Sequence, residues 1–492
     1  MGFVALFMAA RFPFRPWVSV DLGLRFSPFA ALLDSLSVLK PALHYWPGLL
    51  ILLLTPVLGR FFCGWLCPLG TSFDLWRKLF GKNAAPAASD PVSVFLRWPK
   101  YLLFVVLAVS AVFGGPFWGW FDPLALFNRV FTAVLYPFST YIFTAIASVA
   151  GGIPGFIEFK RSAAKWFMPE SQFHPYQFLS LATLLVVMAA LEIWRPRFWC
   201  RSICPAGALL GICSSYRLHS RRIDQSCVNC GRCGRECIMG AIDERPRQIN
   251  PAECIECRTC DNVCPAGTAA IVRLFKPGSP VPRPVDLSKR RLLGSAACGL
   301  AIAAGERILP KSPLDAGDLI RPPGALDEDS FRRQCIRCLQ CVRICASNGA
   351  CLQPDGVEHG LSGLWAPLAK MRTGYCEYNC NLCGQVCPTG AIRKLTLEEK
   401  QKKPLGRAIF DKNFCIPHRR NEDCLVCEEH CPVPDKAIRF EIREGLAPDG
   451  TKQMVKYPYV VGEKCLGCGI CEHKCPLPGR PGIFVANETR KS

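Results

Sequence analysis

The chain of 492 residues is long enough for about three domains of ordinary size. Half of its residues are hydrophobic and its mean hydropathy is positive, which is high for a soluble protein and favours membrane segments. A net charge of +20 alone would suggest nucleic acid as a partner, but no basic helix or aromatic platform is arranged for that role. We therefore expect no nucleic-acid binding and attribute the charge to basic loops beside membrane helices.

Apolar stretches predict an α-helical membrane domain over residues 1–215. Residues 1–10 resemble the end of an apolar helix, and residues 42–62, 99–121 and 176–194 are candidate membrane spans. The order of features occurs twice: a span, a loop containing Ser27-Pro28 or Asp122-Pro123, a further span and a C-x3-C-P motif. This repetition predicts two structurally equivalent halves.

Residues 130–150 are also apolar and complicate the count of crossings. Two C-x3-C-P motifs on the same side of a membrane need an even number of crossings between them, and residues 99–121 and 176–194 already supply two. The sequence therefore predicts that residues 130–150, broken by Pro137 and followed by Gly151-Gly152, are re-entrant or lie at the interface.

Basic residues flank both C-x3-C-P motifs and indicate on which side of the membrane they lie. They are Arg77, Lys78, Lys82, Arg97 and Lys100 after the first motif and Arg195, Arg197, Arg201, Arg217, Arg221 and Arg222 around the second. The opposite loops are basic too, so the difference is small. The positive-inside rule places both motifs and residues 216–275 on the cytoplasmic side of a bacterial inner membrane, crossed several times.

The C-x3-C-P motifs occupy equivalent points of the two halves. Symmetry could bring their thiols together as one group, which we name the thiol quartet: Cys63, Cys67, Cys200 and Cys204. Soft thiolates suit an iron–sulfur cluster or copper(I). A metal-free thiol pair and simple packing are the alternatives, so a metal at the quartet is a hypothesis.

Residues 216–275 carry two cysteine runs with the spacing of a two-cluster bacterial ferredoxin, in which the fourth cysteine of each run binds the other run's cluster. Set 1 comprises Cys227, Cys230, Cys233 and Cys264, and set 2 comprises Cys254, Cys257, Cys260 and Cys237. Structural zinc sites more often pair separated C-x2-C knuckles, and disulfides do not need such runs. The spacing therefore predicts two 4Fe-4S clusters.

Residues 276–325 are a linker whose first part, 276–287, is rich in proline. The following Ser288-Lys289-Arg290-Arg291-Leu292-Leu293-Gly294 and its short apolar continuation are similar to a twin-arginine export signal. Export would place the rest of the chain in the periplasm. The alternative is an ordinary basic linker with a small buried helix.

Residues 326–492 repeat the ferredoxin chemistry with four further runs, which predict four more 4Fe-4S clusters by the same crossing rule. Set 3 comprises Cys335, Cys338, Cys341 and Cys387; set 4, Cys376, Cys380, Cys383 and Cys345; set 5, Cys415, Cys424, Cys427 and Cys475; set 6, Cys465, Cys468, Cys471 and Cys431. The spacing after Cys376 and after Cys415 is wider than the pattern, so these two ligands are the least certain. Cys213, Cys298 and Cys351 receive no role.

The motifs CGWLCPLG and CRSICPAG, the loop at Asp122-Pro123 and the double ferredoxin after them resemble the NapH-type membrane ferredoxins of the NosR/NapH family. The part from KRRLLG onwards, with its four runs, resembles the four-cluster NapG/MauM ferredoxins, so the chain resembles a fusion of the two. The resemblance implies that quinol is oxidised and that electrons pass to a periplasmic redox enzyme. Ser27 departs from the family, which has Asp in that loop.

The sequence thus predicts a multi-domain fold: an α-helical membrane domain with α+β ferredoxin-like 4Fe-4S domains. The expected function is membrane-bound electron transfer through six 4Fe-4S clusters, from quinol to a redox protein such as a cytochrome or periplasmic reductase, with a quinol dehydrogenase role open. No His–carboxylate pair marks a quinol site, and His44 and His174 are loop-end candidates. A copper-handling or maturation factor, and a purely cytoplasmic electron store, are the alternatives.

Overall fold

The computed structural model describes residues 19–80, 95–149, 175–216, 219–223, 227–242, 249–265, 269–274, 288–308, 319–446 and 451–487. It divides into two compact units. The N-terminal unit contains the described parts of Leu22–Val130 and Leu179–Leu309, and the C-terminal unit those of Met1–Asp21, Phe131–Phe178 and Pro310–Ser492. Residues 1–10, the proline-rich segment 276–287 and His174 lie outside the described residues.

Helices dominate the first half of the chain. They are α1 (Leu22–Arg25), α2 (Pro28–Val38), α3 (Trp46–Leu58), α4 (Pro68–Phe80), α5 (Trp98–Val112), α6 (Pro123–Val130), α7 (Tyr136–Val149), α8 (Pro175–Trp194) and α9 (Pro205–Ser215). Prolines stand at the first or second position of most of them, where the missing N–H is not needed. Around α5 pack α2 and α9, and α3 packs against α2 and α9 as well.

Two of the three predicted spans differ from the helices observed. Helix α3 ends at Leu58 before Gly59, and α5 ends at Val112, so residues 42–62 and 99–121 form helices of 13 and 15 residues. A bilayer core of about 30 Å needs about 20 helical residues. In the described chain, the helices long and apolar enough to cross are Pro123–Val149 and Gln177–Trp194. These two helices qualify by length and composition only, and the core helix of a soluble protein can have the same length and composition.

The predicted break at Pro137 is not observed. Helix α6 continues through a π-helical segment, Phe131–Leu135, into α7, and the whole stretch Pro123–Val149 is helical over 27 residues. Pro137 lies at the start of α7, and the wider π turn before it accommodates the change. Residues 130–149 are therefore a regular helix rather than a broken one.

The two halves meet through their equivalent loops in the N-terminal unit. The Ser27 hydroxyl donates to the Asp122 carboxylate, and both side chains are buried. Each also caps its own helix: Ala30 N–H donates to Ser27 Oγ at 3.1 Å, and Ala125 N–H to Asp122 Oδ2 at 2.8 Å. Two aspartates here would place two carboxylates in contact, which explains why serine occupies the first loop.

The first ferredoxin module and the helix after it complete the N-terminal unit. Helix α10 (Arg232–Arg235), helix α11 (Thr259–Val263) and strands β1 (His219–Ile223) and β2 (Ala269–Leu274) belong to that module, and β1 pairs antiparallel with β2. Helix α12 (Lys289–Ile308) then packs along α5, with the Arg291 guanidinium 4.8 Å from the Trp98 ring centroid. The twin-arginine-like segment is thus part of a packed helix; export itself stays a prediction.

The C-terminal unit is built from short helices and two-stranded antiparallel sheets. Its helices are α13 (Glu328–Gln334), α14 (Gln340–Cys345), α15 (Leu382–Gln385), α16 (Leu397–Lys402), α17 (Ile416–Arg420), α18 (Val426–Glu429) and α19 (Ile470–Lys474). Its strands are β3 (Leu352–Pro354), β4 (Pro367–Ala369), β5 (Arg407–Phe410), β6 (Ile438–Leu446), β7 (Lys452–Val460) and β8 (Ile483–Ala486), paired β3–β4, β5–β8 and β6–β7. The pairing of β5 with β8 repeats that of β1 with β2.

Ser27→Asp is expected to destabilise the protein more than Ser27→Ala, because aspartate adds a second buried carboxylate beside Asp122. Ser27→Ala removes a helix cap, which costs about 1 kcal/mol. The exchange variant with Ser27→Asp and Asp122→Ser should recover stability. Thermal unfolding followed by tryptophan fluorescence measures this, with Ser37→Ala as the control. A Ser27→Asp protein as stable as the unmodified one would contradict the interpretation.

Candidate functional site: crossed cysteine sets

Three recesses in the structure are lined by complete crossed sets. Cys237 lies with Cys254, Cys257 and Cys260 of the other run, which is set 2. Set 3 and set 6 line recesses in the same way, each with its fourth cysteine supplied by the partner run. The three recesses enclose similar volumes of about 390, 350 and 330 Å³, part of it open to solvent.

Electrostatic contacts group the other cysteines. Cys345, Cys376 and Cys380 all help to raise the pKa of Cys383 well above its usual value, after burial as the main cause, so set 4 is together. Set 5 is together in the same sense, because Cys475, Cys424 and Cys415 act on Cys427. In set 1, Cys233 has Cys227 and Cys230 as electrostatic neighbours, and the membership of Cys264 stays a prediction.

The loops of the four regular runs share one backbone conformation. The residues on each side of the second cysteine have positive φ in every one of them: Asn229 and Gly231, Glu256 and Arg258, Arg337 and Leu339, Gly467 and Gly469. Successive turns of this hand point backbone N–H groups into a common concavity that suits anions, including iron–sulfur clusters. Five of these eight residues are not glycine, and the surrounding structure must compensate the strain of their left-handed backbone.

The spacing of the thiols argues against zinc. Zn–S bonds of about 2.3 Å put four tetrahedral sulfurs about 3.8 Å from one another. Across the described residues, the one trio of His, Cys, Asp or Glu ligand atoms within 4.8 Å of one another is Asp355, Glu358 and His359, which includes no cysteine. The cysteine sets are therefore too open for one ion and fit a larger group with several irons.

The four sets of the C-terminal unit form a row. Cys383 of set 4 is an electrostatic neighbour of Cys341 in set 3. Cys376 of set 4 donates its backbone N–H to Cys468 O of set 6 at 2.8 Å. Cys427 of set 5 neighbours Cys471 of set 6. The order in space is therefore set 3, set 4, set 6, set 5.

Set 4 contains a fifth thiol that the sequence did not assign. Cys351 is buried, with its Sγ 3.9 Å from Cys345 Sγ, and its hydrogen bond to Cys376 lowers the pKa of that thiol. The Lys400 ammonium lowers it further. The spacing after Cys376 is wider than in the ferredoxin pattern. Cys351 and Lys400 favour the thiolate form of Cys376. No motif marks Cys351, because it lies between the runs.

The four thiols of the quartet converge, as symmetry predicts. Cys63, Cys67 and Cys200 are all electrostatic neighbours of Cys204, and burial with these neighbours raises the pKa of Cys204 well above its usual value. The pKa of Cys200 rises to about 11, mainly through burial. Thiols whose pKa is raised, such as Cys200 and Cys204, become thiolates when a metal cation binds to them.

Equivalent π-helical turns present these thiols. The turns are Phe62–Leu66 and Trp199–Ile203, and each ends at a cysteine in extended conformation, Cys67 or Cys204. Helices α4 and α9 then begin at the following prolines. Gly207 N–H donates to Cys204 Sγ at 3.4 Å, so this thiol sits at a helix N-terminus.

An arginine lies three residues before each C-x3-C-P motif, and its side chain reaches the equivalent motif of the other repeat. Arg60 and Arg197 are both almost fully buried. A Cβ at Gly207 would lie 2.9 Å from Arg60 Nη2, and one at Gly70 would lie 2.7 Å from Arg197 Nη1, so a side chain at either position would displace the guanidinium. Arg60 Nη2 lies 4.0 Å from Cys63 Sγ, and Arg197 donates to Cys63 O at 3.1 Å. The repeated R-F-x-C-x3-C-P-x-G pattern is the sequence signal by which both arginines could be recognised as site residues.

A buried ion network attaches the first ferredoxin module to the quartet. Glu253, which is 1% exposed, accepts from Lys100 Nζ at 2.6 Å and from Arg60 Nη1 at 3.3 Å. Burial acts to raise the pKa of Glu253, but Lys100 and Arg60 outweigh it and lower the pKa. Arg97 also donates to Gly240 O at 2.5 Å.

This network weakens the orientation inferred from basic flanks. Lys100, Arg97 and Arg197, which were counted as positive-inside charges, make specific contacts within the N-terminal unit. Arg197 also pairs with Asp74 at 2.5 Å. Their positions are therefore explained by ion pairing and packing, and the cytoplasmic placement of the motifs stays a prediction.

His44, a loop-end candidate for a quinol site, makes a local contact. His44 Nε2 lies 3.0 Å from Asp34 Oδ2, and its ring contacts Tyr45. This is a local contact at the start of α3, and His44 therefore joins no cysteine set.

Comparison with known proteins follows the same division of the chain. Residues 47–84 and 175–223, which include both C-x3-C-P motifs, match the family Fer4_5, described as a 4Fe-4S binding domain. The methylamine utilization ferredoxin-type protein MauM of Methylorubrum extorquens is 31% identical over 214 residues, 43% of this chain and 91% of MauM. The chain belongs to this ferredoxin-type family. It is accordingly an iron–sulfur protein.

Two further relatives are described as a ferredoxin-type protein and as a putative electron transport protein. The ferredoxin-type protein NapG of Escherichia coli is 32% identical over 194 residues, which cover 39% of this chain and 79% of NapG. The putative electron transport protein YccM of Escherichia coli is 28% identical over 250 residues, 49% of this chain and 59% of YccM. No solved structure matches the chain. The resemblance of the first half to NapH-type proteins stays a prediction.

Crossed ligation predicts how cysteine variants combine. Cys237→Ala should remove about four irons, the content of one cube, and adding Cys257→Ala should remove no more, because both residues serve set 2. Adding Cys230→Ala instead should remove about eight irons in total, since Cys230 serves set 1. Iron analysis of anaerobically purified protein measures this, with Cys213→Ala as the control. Crossed ligation would be contradicted if Cys237→Ala with Cys257→Ala removed about eight irons and Cys237→Ala with Cys230→Ala removed about four.

Proposed function

We propose that the protein carries electrons one at a time along rows of 4Fe-4S clusters, from quinol in a bilayer to a soluble redox protein. The observation that carries this proposal is the crossed arrangement of sets 2, 3 and 6, each lined by three cysteines of one run and one of its partner. Each bound cluster accepts and gives one electron with little rearrangement.

The chain's own residues hold the clusters and keep water away. Cys338, Cys341, Cys415 and Cys471 are buried, and so are the apolar side chains of Ile336, Val342 and Ile483 in the same modules. Backbone N–H groups also point at ligand sulfurs: Ala241 N lies 3.2 Å from Cys237 Sγ and Ile392 N 3.4 Å from Cys387 Sγ. Hydrogen bonds to sulfur and burial are two of the means by which a protein sets a cluster's potential.

The row of sets in the C-terminal unit supports directional transport. Set 3 and set 5 are its two ends, and sets 4 and 6 connect them through Cys376 and Cys468. A redox partner that binds at one end would receive electrons delivered at the other. We take the acceptor to be a cytochrome or a periplasmic reductase, in line with the relatives' description as ferredoxin-type proteins.

Attachment to a membrane is supported by exposed apolar side chains of the N-terminal unit. Leu53 is 74% exposed, and Leu179, Val186 and Trp194 on α8 are more than half exposed. Only 17% of the apolar window in Gln177–Trp194 is buried within the protein. Lipid would cover such a surface. The domain boundaries at 215, 275 and 325, the six-cluster count and the periplasmic position of residues 326–492 belong to this proposal.

Reduced short-chain quinol should bleach the visible iron–sulfur absorbance of anaerobically purified protein in detergent, because a two-electron donor can reduce a chain of one-electron acceptors. The oxidised quinone should have no effect. Metal analysis should give about two dozen irons per chain or more, four per cube over six cubes. Protein that is bleached by dithionite but not by quinol would contradict quinol as the donor. Copper in equal amount to the chain would favour the maturation-factor alternative.

A further inference from the structure

The thiol quartet and set 2 share one apolar core in the N-terminal unit. The core consists of Ile238, Met239, Ala241 and Ile255, each at most 9% exposed. Cys63 and Cys200 of the quartet pack against it, and so do Cys237, Cys254 and Cys257 of set 2. The two groups of thiols therefore contact the same small core.

We propose that the quartet holds a redox-active centre that exchanges single electrons directly with the set 2 cluster across this core, and that Arg60 and Arg197 set its potential. The inference rests on the proposed electron-transfer function and deepens it. In each exchange one centre is oxidised by one electron and the other is reduced by one, while quinol supplies the electrons in pairs. No bond between heavy atoms forms or breaks, so the step needs no further reactant.

Rigid contacts fix the two groups at short range. Trp65 Nε1 donates to Glu256 O at 3.1 Å, so the first motif reaches the loop between two set 2 cysteines. A Cβ at Gly64 would lie 2.3 Å from Ile255 O, which shows how closely the two backbones approach. Arg60 donates to Ala252 O at 2.6 Å beside its ion pair with Glu253. Electron exchange is fast at such range because electronic coupling falls steeply with distance.

Charge in the surroundings points to an anionic centre at the quartet. Glu253 is shared by Arg60 and Lys100, and Asp74 pairs with Arg197. Arg60 Nη2 lies 4.0 Å from Cys63 Sγ, and Arg197 Nη1 donates to Cys63 O at 3.1 Å, so both guanidinium groups lie beside the first motif. A buried guanidinium is stable only when negative charge compensates it. Thiolates around a metal centre supply that charge.

The first test measures magnetic coupling between the two centres by electron paramagnetic resonance of the fully reduced protein. The set 2 signal should be broadened in the unmodified chain and should sharpen when Cys63→Ser and Cys200→Ser are combined, with iron lost as well. Cys213→Ser, a matched cysteine change on α9, should leave the broadening unchanged. An equally sharp set 2 signal in all three proteins would overturn the proposal.

The second test does not depend on whether the double serine variant folds. Arg60→Gln and Arg197→Gln should each make the quartet centre at least tenfold harder to reduce, a shift of about 59 mV for one electron, while Arg60→Lys should retain most of the potential. Arg195→Gln, on the neighbouring surface, is the control. Equilibrium constants for one-electron reduction within twofold of the unmodified protein in both glutamine variants would overturn the role of the arginines.

Failure of the inference and failure of the proposed function give different results. Unmodified protein that contains iron in all predicted sets, but shows no coupling at set 2, would refute the inference alone. Unmodified protein with iron content far below two dozen atoms, four per cube, would refute the proposed function itself. Copper bound at the quartet without a redox change under dithionite would also overturn the inference.

Discussion

Crossed ligation by thiolates is the constraint on which the rest of this protein depends. A short run can place three cysteines around a cluster, but the fourth thiolate must come from a distant part of the chain. Cys237 therefore joins set 2 and Cys387 joins set 3, and each crossing ties two segments into one small module. The modules have only two-stranded sheets and helices of four to seven residues around the cysteines. Such elements bury little apolar area, so metal binding must contribute to folding.

The same constraint explains what could be predicted from the sequence. The cysteine sets follow from spacing, because three-residue and four-residue intervals dictate which thiols face one cluster. Pseudo-symmetry also predicted the convergence of Cys63, Cys67, Cys200 and Cys204. The widened run at Cys376 could be assigned to set 4 as well, although its support from Cys351 and Lys400 could not be foreseen.

Other features depend on contacts that no local pattern encodes. The pair formed by Arg60 and Glu253 joins positions 193 residues apart, and Lys100 joins them from a third segment. Basic residues near apolar stretches therefore look like membrane flanks in the sequence, although several are buried in ion pairs. The short helices α3 and α5 escaped prediction for another reason. Hydropathy reports composition, whereas a helix ends where the backbone turns, as at Gly59 with its φ of 68°.

The linear order of sets 3, 4, 6 and 5 has a consequence for throughput. Carriers connected in series share one current, so the slowest hop governs the whole line and no parallel branch can relieve it. At the junction between the two C-terminal modules, Cys376 donates its backbone N–H to Cys468 O, and Arg372 donates to the carbonyls of Glu472, Cys475 and Leu477. Small changes in packing at that junction would therefore change the rate of electron transfer along the whole row, without altering any ligand.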